Sequence, residues 1–187
     1  MLRTVKVLAA AVGATALLSV AALPASAATT SKTSATSQSS QVGYTKVTVA
    51  PSTLAALTSL GVAPGVVAPA VVSKTSPLNV RFPITGYALD KTRIKHSGGI
   101  TLTAGSTTVT ITDLYIDLAR GRVSGLVAGI GRVDLFKIRP TDAPRYGAVK
   151  LVFTKTAAGA LDAAFGTTAL TEGFLFGYAT PRPFSRI

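Results

Sequence analysis

Between Ile94 and Leu126 the chain reads IKHSGGITLTAGSTTVTITDLYIDLARGRVSGL, three runs of alternating apolar and polar residues separated by glycine-containing turns. A side-chain period of two sends successive residues to opposite faces of a strand. Ile100, Leu102 and Ala104 therefore define one buried face, Val109 and Ile111 another, and threonines occupy the open side. After Ile111 the apolar set moves to Leu114, Ile116 and Leu118, an odd step that would turn every later side chain to the opposite face. A β-bulge or bend near Thr112-Asp113 absorbs such a step. Arg120-Gly121 supplies the next hairpin turn, because glycine accepts positive φ without Cβ strain, and Val123 begins the returning strand. The stretch predicts a β-meander.

The rest of the chain adds strands and two short helices. Tyr44 to Val49 alternates, and Leu54, Leu57 and Leu60 follow at helical spacing, with Ser52 as the expected cap and Gly61 as the stop. A similar cassette recurs as a strand over Lys150 to Phe153, an alanine-rich helix over Thr156 to Phe165, and a terminal Gly166. KVTVAPSTLAALTSLG and KLVFTKTAAGALDAAFG thus read as a pseudo-repeat. Pro64 and Pro69 confine any strand between Val62 and Ser76 to an edge. Val80, Phe82 and Ile84 alternate, Arg132 to Ile138 forms a strand closed by Pro140, and Thr141 to Gly147 is a loop. Phe174, Phe176 and Tyr178 are expected on one face of a last strand that Pro181 and Pro183 stop. About eight strands with two helices predict a mainly β fold, an antiparallel β-sandwich or open barrel with two short capping helices. Its expected core joins Ile100, Leu102, Val109, Ile111, Leu114, Ile116, Leu151, Phe153, Leu161 and Phe165 to Leu54 and Leu57.

Residues 1–27 have the layout of a secretory signal peptide: Arg3 and Lys6, an apolar run from Val7 to Ala22, and Ala25-Ser26-Ala27 as the cleavage site. That run is short of the roughly 20 residues a spanning helix needs. Residues 28–43 form a Ser/Thr-rich tether without the apolar surface to offset the entropy of ordering, and residues 44–187 are one β-rich domain. The expected product is exported, with no membrane span in its mature chain. Without cysteine it relies on packing rather than disulfides.

The chain carries 19 basic and 7 acidic side chains, a net charge of +12, which becomes +10 when Arg3 and Lys6 leave with residues 1–27. This sign favours anionic cell-wall polymers, an acidic envelope surface or anionic ligands, and equally serves as a solubilising surface. Nucleic acid is not expected, because the basic residues are scattered without an arginine-rich run.

No Gly-x-Ser-x-Gly elbow occurs, and the single imidazole, His96, has no carboxylate at a suggestive spacing. Asp90, Asp113, Asp117, Asp134, Asp142, Asp162 and Glu172 could pair in space as a glycosidase requires, but nothing in their spacing promotes it, so a carboxylate-dependent hydrolase of wall glycans ranks below a non-enzymatic role. Asp113 and Asp117 fit strand ends and turns. His96-Ser97-Gly98-Gly99 is the one unusual local feature. It reads either as a ligand-facing segment, where two glycines permit close backbone approach, or as a hydrogen-bonded surface or edge histidine.

FPITGYALDKTRIKHSGGITLTAGSTTVTITDLYIDLARGRVSGL, with RVDLFKI and TAAGALDAAFG behind it, resembles secreted actinobacterial proteins related to the haem-transport-associated, or Hta, domain. The likeness runs from Val47 to Tyr178. It implies a β-rich exported protein, and the family's best-known members bind haem through a tyrosine supported by a histidine. His96 matches that histidine. The family's tyrosine lies in an N-terminal Trp/Ser/Tyr segment that this chain, which has no tryptophan, does not reproduce; Tyr87 is the tyrosine near His96 in sequence. On this resemblance Gly98 and Gly99 would admit a flat ligand beside a tyrosine hydroxyl, and Arg93 and Lys95 would face haem propionates. The expected function is a non-enzymatic, cell-envelope-associated binding or structural protein of Hta-like type with no obligatory cofactor. A haem-binding protein is the alternative.

Overall fold

The computed structural model describes residues 42–73, 75–87 and 92–185. The expected signal peptide and nearly all of the tether lie outside the described residues. Within them the chain is mainly β, an antiparallel barrel with additional strands and two helices. The strands are β1 (Gly43–Val49), β2 (Ala63–Val67), β3 (Val71–Ser73), β4 (Asn79–Tyr87), β5 (Arg93–His96) and β6 (Gly99–Ala104). They continue with β7 (Thr107–Asp117), β8 (Arg122–Val127), β9 (Gly131–Pro140), β10 (Val149–Phe153) and β11 (Leu175–Pro183). The helices are α1 (Pro51–Ser59) and α2 (Lys155–Phe165).

Eight strands pair in the order β7-β5-β4-β1-β11-β10-β9-β8, and β8 returns to β7, so the ring is closed rather than open. Closure removes the free edges that an open sheet of this size would expose. The meander supplies the closing pairs. β7 is long enough to hold both β5 and β6 along one edge and β8 along the other. Its register against β8 slips between Thr112 and Tyr115, where Asp113 adopts φ 48°. This bulge lies where the odd apolar step requires it, and it lets Ile111, Leu114 and Ile116 all turn inward. β2 pairs only with β6, and β3 only with β4, as edge strands should with Pro64 inside β2 and Pro69 between the two.

β1 and β10 are both antiparallel to β11, hence parallel to each other, and α1 and α2 leave from the same end of the barrel. The two cassettes therefore occupy equivalent places, and each helix is followed by a glycine at φ 64°, Gly61 and Gly166. The helices start differently. Thr154 caps α2 by accepting from Ala157 N–H at 3.1 Å. α1 has no side-chain cap: Pro51 takes its first position, where the missing N–H costs nothing, and Ser52 lies inside the first turn rather than capping it. The inward face of α1 is Thr53 and Leu57, so Leu54 is half-buried and outside the core in which it was expected. Val109 and Phe165 only pack against that core from its margin, and the other expected members are buried in it.

The last strand corrects two expectations. β11 runs through Pro181 and Pro183, because β10 ends opposite Ala179 and leaves these prolines an unpaired edge for their missing N–H. Phe176 and Tyr178 do not share a face. A register shift against β10, where Leu151 pairs Gly177 and Val152 pairs Leu175, turns Phe176 into the barrel while Tyr178 meets the 141–148 loop.

Candidate functional site: the barrel lumen

The alternation that closes the ring also lines its interior. Several inward residues of β1, β4, β10 and β11 are modest in size, Val47, Val80, Val149, Ala179 and Pro181 among them, and the lining leaves a cavity of about 300 Å³. Around it stand Phe82, Leu102, Leu114, Ile116, Val123, Leu151 and Phe176. Among the described residues the polar side chains in the wall are Thr45, His96 and Thr101, and no carboxylate, lysine or arginine lines it. An eight-strand barrel has an interior just wide enough to be filled by its own side chains or to hold one small ligand. Here it is incompletely filled.

Leu57 of α1 and Phe176 form the floor at the helix end. At the opposite end Leu118 lines the lumen yet is 54% exposed, and Ile138, Val149 and Pro181 beside it are half-buried. This is a mouth. Pro64 on β2 marks a second place where the lining reaches the surface.

His96 is the polar centre. Alternation along β5 sends Ile94 and His96 inward and Arg93 and Lys95 outward. The ring is only 4% exposed. Nδ1 lies 3.1 Å from the Leu114 carbonyl oxygen, which can only accept, so the proton sits on Nδ1. Nε2 then accepts from the Thr45 hydroxyl at 2.7 Å. The imidazole thus ties β5 to β1 and β7. Burial pushes its pKa down to about 4, opposed by the bond to Leu114, so the ring is neutral at ordinary pH.

The six residues singled out in the sequence do not assemble around one ligand position. His96 alone lines the lumen. Its hydroxyl neighbour is Thr45, where the resemblance called for a tyrosine, and Tyr87 is partly exposed at the end of β4. Arg93 pairs with Asp117 at 3.3 Å, and Lys95 lies 6.0 Å from the Tyr115 ring centre, both outside the barrel. The glycines do allow close approach, but of the chain's own backbone. A Cβ on Gly99 would stand 2.1 Å from the Ile111 carbonyl oxygen, and one on Gly98, at φ 77°, 2.6 Å from Ala70 N. They form the corner that lets β5 continue into β6 against β7.

No family model, curated protein or solved structure matches the chain. Among the described residues no three metal-ligating side chains cluster. Four carboxylates pair with cations outside the lumen: Asp117 with Arg93, Asp134 with Arg120, Asp142 with Lys150 and Glu172 with Lys137. The Arg120 backbone N–H, more than the Arg93 guanidinium, holds the Asp117 carboxyl below its usual range, and Lys137 does the same for Glu172.

Sequence reasoning missed the lining outside the meander. Thr45, Val47, Ala179 and Pro181 carry the alternation of β1 and β11, but nothing local distinguishes a strand facing a cavity from one facing a filled core.

Proposed function

We propose that this is a non-enzymatic binding protein whose barrel encloses a small apolar molecule, working outside the cytoplasmic membrane at the cell envelope. The observation that carries the reading is the lumen: about 300 Å³, walled by aliphatic and aromatic side chains, with its one imidazole neutral and already hydrogen-bonded. Pockets of this size and composition are those that bury small ligands. The signal-like residues 1–27 and the net charge of +12 support export and retention against anionic wall polymers. Among the described residues no helix is long and apolar enough to cross a membrane.

The haem-binding reading implied by the Hta-like resemblance is favoured by one feature, a histidine buried in an apolar cavity. It needs a tyrosine hydroxyl beside that ring, and Thr45 stands there instead. A haem titration followed by visible absorption separates the two, with saturation near one equivalent favouring haem.

The test of the main reading is fluorescence titration with the neutral apolar probe N-phenylnaphthylamine. Saturable enhancement is expected for the wild-type chain and a weaker one for Ala179→Leu, whose larger side chain takes up part of the lumen. No saturable signal, or equal binding by both chains, would overturn the proposal.

A further inference from the structure

The lumen and its mouth differ in chemistry, and the difference specifies a ligand. Inside, no side chain can balance a charge. The His96 Nδ1 proton is committed to Leu114 and the Thr45 hydroxyl proton to His96, which leaves the neutral Thr101 hydroxyl as the one uncommitted side-chain donor among the described lining residues. An ionised group placed there would lose its hydration without compensation. At the mouth the sequence changes sign abruptly. Ile138 and Pro181 line the cavity, and the next residues along their strands, Arg139 and Arg182, alternate to the outer side of the rim, where they are exposed and form no ion pair with any described carboxylate. Arg120 stands in the turn after Leu118, bridged to Asp134 at 2.9 Å. The second opening, at Pro64, lacks this character, because β2 carries no charged residue.

We infer that the barrel binds a single-chain amphiphile, its hydrocarbon tail in the lumen and an anionic headgroup at the mouth beside Arg139 and Arg182. The inference rests on the lumen-binding reading above and adds the headgroup and its orientation. Tail burial supplies the affinity. Arginine at the rim supplies selectivity, since guanidinium groups recognise carboxylate and phosphate oxygens through paired N–H donors while remaining hydrated. A carboxylate and a phosphate monoester share this chemistry.

The experiment is calorimetric titration of the full chain with straight-chain alkanoates of increasing length, each matched to the alcohol and the alkyl phosphate of the same length. Affinity should rise about fourfold with each added methylene until the lumen is full, then level off. At low salt the alkanoate or the alkyl phosphate should bind about tenfold more tightly than the alcohol, and whichever is tighter identifies the headgroup. That advantage should shrink in high salt, as interactions between exposed charges do. In the Arg139→Gln/Arg182→Gln double variant, the anion's affinity should fall to the alcohol's. Equal binding of anion and alcohol by the wild-type chain, or an anion advantage that survives the double variant, would overturn the headgroup assignment while leaving the lumen reading intact. Failure of alcohols and anions alike would overturn the lumen reading itself.

Discussion

The two ends of the barrel are built from the same alternating strands and end differently. At the helix end Phe136, Phe153, Phe174 and Phe176 interlock, with ring centres 4.6 Å apart for Phe136 and Phe176 and 5.1 Å for Phe136 and Phe153. Leu161 of α2 and Leu57 of α1 close over them, and the voids there are small, about 20 Å³ between the two helices and about 110 Å³ beneath α2. Around His96 the inward positions are mostly valine, leucine and isoleucine with Phe82 and Phe136, and these leave a void of about 300 Å³. Binary pattern is common to both regions, and how completely the side chains fill the space they enclose separates the floor from the chamber. Stability should therefore concentrate at the floor, and the chamber should tolerate change.

Truncating the floor tests this most severely. Phe153→Ala removes a buried ring that contacts Phe136, Phe174 and Phe176, and should cost about 3 to 5 kcal/mol in a denaturant melt. A loss below about 1 kcal/mol would erase the contrast between the two ends.

Acid should attack the chamber instead. His96 has its pKa lowered from 6.5 to about 4 on folding, so between those values the unfolded chain binds the extra proton. Stability is then full above pH 6.5 and declines as pH falls towards 4, by on the order of 3 kcal/mol in total. Melts of His96→Gln, whose amide can donate to Leu114 and accept from Thr45, should lack this decline. The carboxylates of Asp117, Asp142 and Glu172, held below their ordinary range, lose their contributions only as pH passes through and below that range. An unchanged pH profile in His96→Gln would show that the wild-type decline has another source.

A smaller effect is expected where α2 is seated on the floor. Thr154→Ala removes the cap on Ala157 and a hydrogen bond to the Asp134 carbonyl, and should cost about 1 kcal/mol, measured by thermal melting. The smallest belongs to the chamber. Ala179→Leu adds volume where space exists, so its denaturation midpoint should move by less than about 1 kcal/mol in either direction. A loss as large as that of Phe153→Ala would mean that the wall cannot accommodate the added volume.

Much of the architecture was legible along the chain because its causes are local. The odd step from Ile111 to Leu114 demanded a bulge, and Asp113 supplies it. The glycine after each Ala-Leu helix marked its end, and Pro64 marked an edge strand. Local rules misled where a distant strand decided the outcome. Pro181 and Pro183 are strand-breaking signals, yet they continue β11 because β10 stops short of them. The His96-Ser97-Gly98-Gly99 segment suggested an opening for a ligand, and the space beside both glycines is taken by backbone of residues 67–70 and of β7.

What the sequence determined by itself is the mainly β class, most of the strands and the inward faces and turns of the meander, since side-chain period, bulge and glycine conformation depend on neighbours a few residues away. Only the tertiary structure decided that β8 closes on β7, that β1 and β10 run parallel with both helices at one end, and that His96 meets Thr45, 51 residues before it. It also decided that the ring is hollow. Volume inside a barrel is the difference between the space enclosed by the strands and the side chains that all of them contribute. No single strand carries that information.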